Sequence, residues 1–432
     1  MPSKPSTWKL WRRASSVLSA AALSLTATAA HAEDVLDTGD TAWMITSTLL
    51  VLMMTLPGLA LFYGGLVRTK NLLSVLMQCM FSAGLIGVLW VLVGYSLAFG
   101  EGGWFIGDFS MLGLQGITPD SVSGTIPTYV FVMFQGMFAI ITPALMLGAF
   151  AERMRFSVYA VFITIWVFVV YIPLAHMVWG GGYIGGTGAL DFAGGLVVHM
   201  SSGFSALVAA ILIGPRKGYG KESMAPNSLP LTVIGASLLW VGWFGFNAGS
   251  ELAADGTAAL AFLTTQTAAS TCLLVWVLIE WLHRGKPTIL GAATGIVAGL
   301  VAITPACAFV GPLGSIAIGA GAAVICYIAV TMLKPALGYD DSLDVFGVHG
   351  VGGAWGALAT GLFITEVTDL GYGGQIWVQL QSILLTAVFA CAATALIILG
   401  LKAVMGDLRV SEEDEHEGLD LAEHSETAYG TP

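Results

Sequence analysis

The chain has 432 residues, 56% of them hydrophobic and 10% charged, with a formal net charge of −11. A soluble domain carries roughly 25% charged residues, so this composition excludes an ordinary soluble enzyme and points to an all-α polytopic membrane protein. The acidic balance says nothing about a basic partner such as nucleic acid, because much of it sits in the tail around Ser411-Glu-Glu-Asp-Glu-His-Glu417.

Residues 1–32 read as a cleaved export signal. Lys4, Lys9, Arg12 and Arg13 form a basic start, Val17 to Ala30 a short apolar run of small residues, and Ala30-His31-Ala32 a small-residue cleavage site. The mature chain is then expected to begin at Glu33.

Eleven runs are long enough to cross a hydrocarbon core of about 30 Å: those near 41–66, 71–99, 126–150, 157–178, 192–213, 228–249, 257–282, 288–307, 312–333, 344–364 and 376–403. Residues 33–403 thus form one membrane domain of eleven transmembrane helices, and 404–432 a tail. Arg68, Lys70, Arg153, Arg155, Arg216, Lys217, Lys221, Arg284, Lys286, Lys334, Lys402 and Arg409 all follow odd-numbered spans or end the last one. The intervening loops hold no Lys or Arg. Basic loops stay in the cytoplasm, which places the mature N-terminus outside and the acidic tail inside. A cleaved export signal predicts the same orientation independently.

Eleven spans divide as two five-helix halves plus one C-terminal helix, and an odd number per half forces the halves into opposite orientations. His199 in span five and His349 in span ten occupy equivalent places. Each follows an aspartate and a phenylalanine, in Leu190-Asp191-Phe192 and in Leu343-Asp344-Val345-Phe346. Inverted repeats place a pathway near the midplane at the axis relating them, and ionisable residues inside spans usually mark such a pathway or a relay. His176, near the outer end of span four, reads instead as a structural hydrogen-bonding group between helices.

Aromatic residues form a second signal. Phe134 and Phe138 are four residues apart and share a face of span three. Trp179 ends span four, and Trp243, Phe246 and Ser250 close span six, both on the outer side. An interfacial aromatic belt is the simplest reading of Trp243. Ring faces also attract a cation, so Trp179, Ser250 and the phenylalanines suggest a cation-attracting vestibule above a hydrophobic gate.

Other chemistries find little support. The five cysteines, Cys79, Cys272, Cys307, Cys326 and Cys391, lie singly in apolar runs and read as packing residues. No phosphate-binding loop, no HExxH motif and no Ser/His/Asp arrangement occurs, so neither an enzyme nor a bound metal is expected. Two histidines on two helices raise the possibility of a haem, but the basic residues that would meet its propionates are missing from these spans.

Taken together, the strings Phe62-Tyr-Gly-Gly65, Phe134-Gln-Gly136, Ala151-Glu-Arg153, Ala175-His-Met-Val-Trp-Gly-Gly-Gly182, Leu190-Asp-Phe-Ala-Gly-Gly195, Gly242-Trp-Phe-Gly-Phe-Asn-Ala-Gly-Ser250, Thr304-Pro-Ala-Cys307 and Asp344-Val-Phe-Gly-Val-His-Gly350 strongly resemble those of the ammonium transporter family, which includes the Mep and Rhesus proteins. The resemblance spans essentially the whole mature chain. It implies a homotrimer with one pore per subunit, in the cytoplasmic membrane of a bacterium and with no cofactor. It implies an outer ammonium site at Phe138, Trp179 and Ser250, a gate of Phe138 and Phe246, and a pore lined by His199 and His349. Asp191 matches an aspartate that supports the outer site. Glu417-Gly-Leu-Asp420 resembles the region that docks PII-type signalling proteins, while Asp407 stands where the family pattern leads one to expect glycine.

Physical cost favours histidine over carboxylate in such a pore. Carrying a bare cation through the bilayer centre costs from ~3 to more than ~10 kcal/mol, whereas ammonia crosses uncharged. A fixed carboxylate would trap the cation. Two hydrogen-bonded imidazoles, with an unperturbed pKa of about 6.5, offer an acceptor nitrogen and a proton relay. The expected activity is ammonium uptake in which the proton is shed, ammonia passes, and the proton crosses separately along the histidines. The alternatives are an ammonium sensor and an electroneutral ammonia or carbon dioxide channel of the same fold.

Overall fold

A computed structural model describes residues 36–430; the export-signal reading of residues 1–32 lies outside them. The described residues are mostly helical. Its long helices are α1 (Thr38–Leu66), α2 (Thr69–Phe99), α3 (Thr128–Phe150), α4 (Phe156–Gly186), α5 (Gly195–Ile213), α6 (Leu229–Glu251), α7 (Gly256–Arg284), α8 (Ile289–Ile303), α9 (Pro312–Leu337), α10 (Val351–Phe363) and α11 (Gly371–Met405). Two short tail helices follow, α12 (Glu412–Glu417) and α13 (Leu419–His424).

Among the described residues, nine of these helices are long and apolar enough to cross a membrane. The expected spans near 288–307 and 344–364 are shorter as regular helices, because α8 has 15 residues and α10 has 13. The physical reason is local. Alpha-helical geometry stops at Ile303, before the Thr304–Cys307 turn, and a π-helical turn over Phe346–Gly350 precedes α10. A matching π-helical turn over Gly195–Met200 opens α5. His199 and His349 sit in these two turns.

The bundle is closed by backbone-to-backbone packing where those turns meet. A Cβ on Gly203 of α5 would lie 2.1 Å from the backbone nitrogen of Gly350. Small residues let helices approach this closely, and here the approach brings the fifth and tenth spans into contact at the level of the histidines. Outside the bundle, Leu49, Leu274, Leu384 and Leu396 are exposed leucines on a surface that suits lipid.

Charge is gathered at the end of the bundle that carries the basic loops. Arg153 is fully buried and donates to the carbonyls of Ala149 (3.0 Å), Asp340 (2.7 Å) and Gly214 (2.8 Å) and to the Ser342 hydroxyl (2.8 Å). Beside it, Arg216 pairs with Asp340 at 2.8 Å and with Glu152 at 3.3 Å, and Arg68 pairs with Glu152 at 2.7 Å. The network knits the ends of α1, α3 and α5 to the loop before α10. Burial alone would raise the Asp340 carboxyl, but the hydrogen bonds and charge of Arg216, with Arg153 beyond, outweigh it and hold it below the ordinary value.

The tail folds back on this end. Two membrane helices, α2 and α4, lack a side-chain cap from their own N-terminal residue, and the tail supplies both. Asp420 accepts from the Ser74 N–H (2.8 Å) in α2, and Glu423 accepts from the Phe156 N–H (2.9 Å) in α4. Glu415 accepts from the Lys217 N–H and from Arg409, each at 2.6 Å. Carboxylates at helix N-termini satisfy orphan donors and favour the positive end of the dipole. Asp407 fits a turn in which its carboxylate accepts from the Arg409 N–H at 3.1 Å and its carbonyl from Arg155.

Candidate functional site

The site begins with the start of α5. Gly194 takes φ +109, a conformation costly to any residue with a side chain. The Asp191 carboxylate then accepts four successive backbone donors, from Gly194 (3.1 Å), Gly195 (2.5 Å), Leu196 (2.8 Å) and Val197 (3.1 Å). Those are the N–H groups a helix start leaves orphaned, and their capture fixes the turn that carries His199.

The second half repeats the device with a different aspartate from the one expected. Asp341, eight residues before His349 as Asp191 is before His199, accepts from the Phe346 N–H at 2.7 Å. Asp344, paired with Asp191 in the sequence reading, instead has φ 61 and bonds Lys334 of α9 at 2.6 Å. Its neighbouring phenylalanine made it look equivalent, whereas spacing from the histidine identifies Asp341.

The two turns bring the histidines together. The Nδ1 atoms of His199 and His349 are 3.2 Å apart, so one donates to the other. Their ring centroids are 5.3 Å apart, and both side chains are buried. Metal–imidazole bonds of about 2 Å would hold trans nitrogens roughly 4 Å apart, so a haem ligated between them does not fit. The His199 ring also stacks on Trp243 (centroids 5.4 Å, 26°) and on Phe246 (5.9 Å, 24°). Trp243 is therefore not an interfacial belt residue: it is 2% exposed and donates its indole N–H to Thr304 at 2.9 Å.

An apolar cavity of ~10 Å³, room for about one water-sized sphere, lies against His199, His349, Trp243, Phe246 and Tyr63. From the basic end a wider cavity of ~650 Å³ reaches His349 past Tyr63, Lys334 and Asp344. His349 lines both, so the imidazole pair stands where the tight apolar cavity meets the wider one.

Towards the opposite end aromatic rings pack beyond the histidine pair. Phe138 of α3 and Phe246 of α6 are stacked, with centroids 4.2 Å apart and planes at 29°. Phe134 packs edge-on to Phe138 at 5.0 Å, and Trp179 meets Phe138 edge-on at 6.0 Å. Trp179 donates its indole N–H to the Asp191 carbonyl at 2.9 Å, and Ser250 donates its hydroxyl to the Phe246 carbonyl at 2.8 Å. The residues singled out from sequence thus form one column: Trp179, Phe138 with Phe134, Phe246, then the two histidines with Trp243 at their side. Asp191 braces it at both ends of its own residue, through its carbonyl to Trp179 and its carboxylate to the His199 turn. Ser250 joins through the backbone of Phe246.

Three contributors were missed in the sequence. Asp341 was legible in its spacing from His349. Thr304, which fixes Trp243, lay inside a family string without a role. Tyr63, which lines both cavities and donates to the Leu145 carbonyl at 3.1 Å, carried no signal beyond its string.

The chain is similar to known proteins along nearly its whole length. The pattern of the Ammonium Transporter Family matches residues 42–429. A protein of Bacillus subtilis named ammonium transporter is 49% identical over 401 residues, covering 90% of this chain and 98% of its own. The structure of Mep2 from Saccharomyces cerevisiae superposes with a TM-score of 0.81 at 35% identity, covering 88% of each chain. A solved structure titled Sensor Amt Protein superposes with a TM-score of 0.84 at 28% identity, covering 89% of this chain and 98% of its own. With a match across nearly its entire length and close relatives named for the same cargo, the chain belongs to the ammonium transporter family.

Proposed function

We propose that the protein takes up ammonium across the cytoplasmic membrane by stripping its proton and conducting ammonia past His199 and His349. The contact of the two imidazoles inside an apolar cavity is the observation that carries this reading. Ammonium gathers at the outer site of Trp179, Phe138 and Ser250, where ring faces attract a cation. The stacked Phe138 and Phe246 exclude water and make passage of the charged form costly, so ammonium gives its proton to solvent water at the outer site before ammonia enters. Ammonia then passes the gate and slides along the imidazole pair, which offers a hydrogen bond without a fixed charge to trap it. The proton crosses separately along the same pair, giving net ammonium transport. Potassium has no proton to lose and stays outside.

Eleven spans in two inverted five-helix halves plus α11 fit this pathway. The support is the paired Asp191–His199 and Asp341–His349 turns, on helices that meet at Gly203 and Gly350. The basic end then faces the cytoplasm and residues 33–403 make up the transport domain after loss of the export signal, in keeping with the one-sided distribution of Lys and Arg. Assembly as a homotrimer and docking of a PII-type protein follow from family resemblance. In the tail, Leu419 and Asp420 are buried against α2, so such a partner meets the exposed Glu412, Glu413 and Glu417.

A sensor role is the second reading, favoured by the likeness to the structure titled Sensor Amt Protein. Recording from proteoliposomes on a solid-supported membrane separates the two. A current that tracks ammonium concentration supports transport, and ammonium binding without current supports sensing.

A further inference from the structure

His176 sits one helical turn before Trp179 and is 1% exposed. Both of its ring nitrogens stand against backbone carbonyls: Nδ1 is 3.0 Å from the Ala98 oxygen and Nε2 is 2.8 Å from the Gly103 oxygen. A carbonyl only accepts, so whichever nitrogen carries the proton, one of these carbonyls receives it. The Ala98 carbonyl lies in the last turn of α2, where carbonyls have no partner within the helix. Gly103 belongs to the loop that follows. The ring therefore ties α4, through one N–H, to one of two neighbouring points of the same outer connection, with its other nitrogen packed against the second.

The backbone of His176 acts at the same place. Its carbonyl accepts from the Gly180 N–H (2.9 Å) and the Gly182 N–H (3.0 Å), so it terminates the turn that carries Trp179. Gly181 supplies the positive φ of +88 that this reversal requires. The packing has no slack: a Cβ on Gly180 would lie 2.1 Å from the Ala98 oxygen and 2.7 Å from the His176 Nδ1. A further tie runs from the Tyr183 N–H to the Trp104 carbonyl at 2.8 Å. Trp179 thus projects from a turn whose position relative to α2 is held by the His176 imidazole together with this packing and backbone tie.

We infer that His176 is a positioning residue for ammonium recruitment, holding the Trp179 indole over Phe138 by clamping the α4 turn to the end of α2 and its loop. This rests on the reading of Trp179 as part of the outer ammonium site. A residue that only supported the fold would change how much protein is made or how stable it is. A positioning residue changes the concentration of ammonium at which transport half-saturates and leaves the saturated current nearly intact, since the gate and the histidine pair are untouched.

The test uses full-length protein in proteoliposomes, with ammonium pulses over a concentration series for wild type, H176F, H176Q and W179L. H176F keeps an aromatic ring of similar volume without a donor; H176Q restores one amide donor. The inference expects the half-saturating ammonium concentration of H176F to rise by roughly tenfold, the loss of about one hydrogen bond to a fixed group. Its saturated current per folded protein should stay within about twofold of wild type, and H176Q should fall between. W179L should shift the half-saturating concentration at least as far. If W179L shifts it and neither His176 variant does, the clamp is overturned and the outer site stands. If no variant shifts it, the outer site and the clamp both fall. A current that drops in H176F and H176Q only in proportion to the folded protein recovered also overturns the clamp.

Discussion

The Nδ1 atom of His199 lies 3.2 Å from the Nδ1 atom of His349, although 150 residues separate them in the chain. The contact is built from both sides by the same means: an aspartate eight residues upstream holds a π-helical turn, and the turn presents the imidazole. Because the pair shares one proton across Nδ1, each ring keeps its Nε2 for the lumen. Among the described residues the buried His199 Nε2 has no other protein partner. On the proposed reading, this nitrogen is where ammonia, which carries both donor and acceptor groups, is held in passing.

Asp191→Asn is expected to weaken transport through position. The carboxylate accepts four backbone N–H bonds, and an amide accepts at one oxygen only. Loss of charge-assisted hydrogen bonds costs about 1.5–3 kcal/mol, enough to loosen both the His199 turn and Trp179. Ammonium-evoked current should fall at least tenfold, and thermal unfolding of the detergent-solubilised protein should begin at lower temperature. A variant with full current would show that the cap is dispensable for transport.

Gly203→Ala places a methyl group 2.1 Å from the Gly350 nitrogen. Backbone cannot yield as a side-chain tip does, so α5 and α10 must separate. Overpacking of this kind costs about 1–3 kcal/mol. The expected outcome is folded but poorly conducting protein, with the histidine contact lengthened in a crystal or cryo-EM structure. Wild-type current with the alanine in place would contradict the tight seam.

Phe246→Leu removes one face of the 4.2 Å ring stack and one face of the His199 stack. Burial is largely kept, so the protein should fold with a loss of about 1–3 kcal/mol. The gate should become wetter. Stopped-flow shrinkage of proteoliposomes is expected to show increased water permeability, and ammonium should be distinguished from potassium less sharply. Unchanged permeability would mean that the rings do not form the barrier.

Asp340→Asn breaks the buried ion pair with Arg216 and leaves that guanidinium short of compensation, while the Arg153 bond to the Asp340 backbone carbonyl is kept. Removing one partner of such a pair costs about 3–5 kcal/mol. The pH dependence has a definite sign. The folded carboxyl titrates below its unfolded value of 3.8, so its contribution is present above that value and is lost as pH falls through the lower, folded one. Wild type should therefore lose this part of its stability only below about pH 4, and the variant should lack that acid-dependent step. Fluorescence-detected unfolding from pH 3 to pH 7 reads both.

Much of this was visible in the residues themselves. Long apolar runs mark the helices, and two histidines in equivalent runs point to the pair that the structure brings into contact. Phe134 and Phe138 were placed on one face by spacing alone. What stayed hidden was whatever depends on which face of a helix turns inward. Trp243, near the outer end of its run, looked like a belt residue because hydropathy cannot distinguish lipid from a buried imidazole as a neighbour. Asp344 was taken for the partner of Asp191 because local strings are easier to match than spacing across a turn. The tail aspartate and glutamate that cap α2 and α4 lie hundreds of residues from the helices they complete, and no local pattern announces such a contact.

The most direct measurement is a solid-supported-membrane recording that compares ammonium and potassium pulses on wild type and on His199→Ala combined with His349→Ala. Wild type should give current with ammonium and none with potassium. The double variant should give strongly reduced ammonium current, or current with potassium as well, because the conduit has lost its relay and gained room. Undiminished ammonium current with potassium still excluded would contradict proton relay along the imidazole pair.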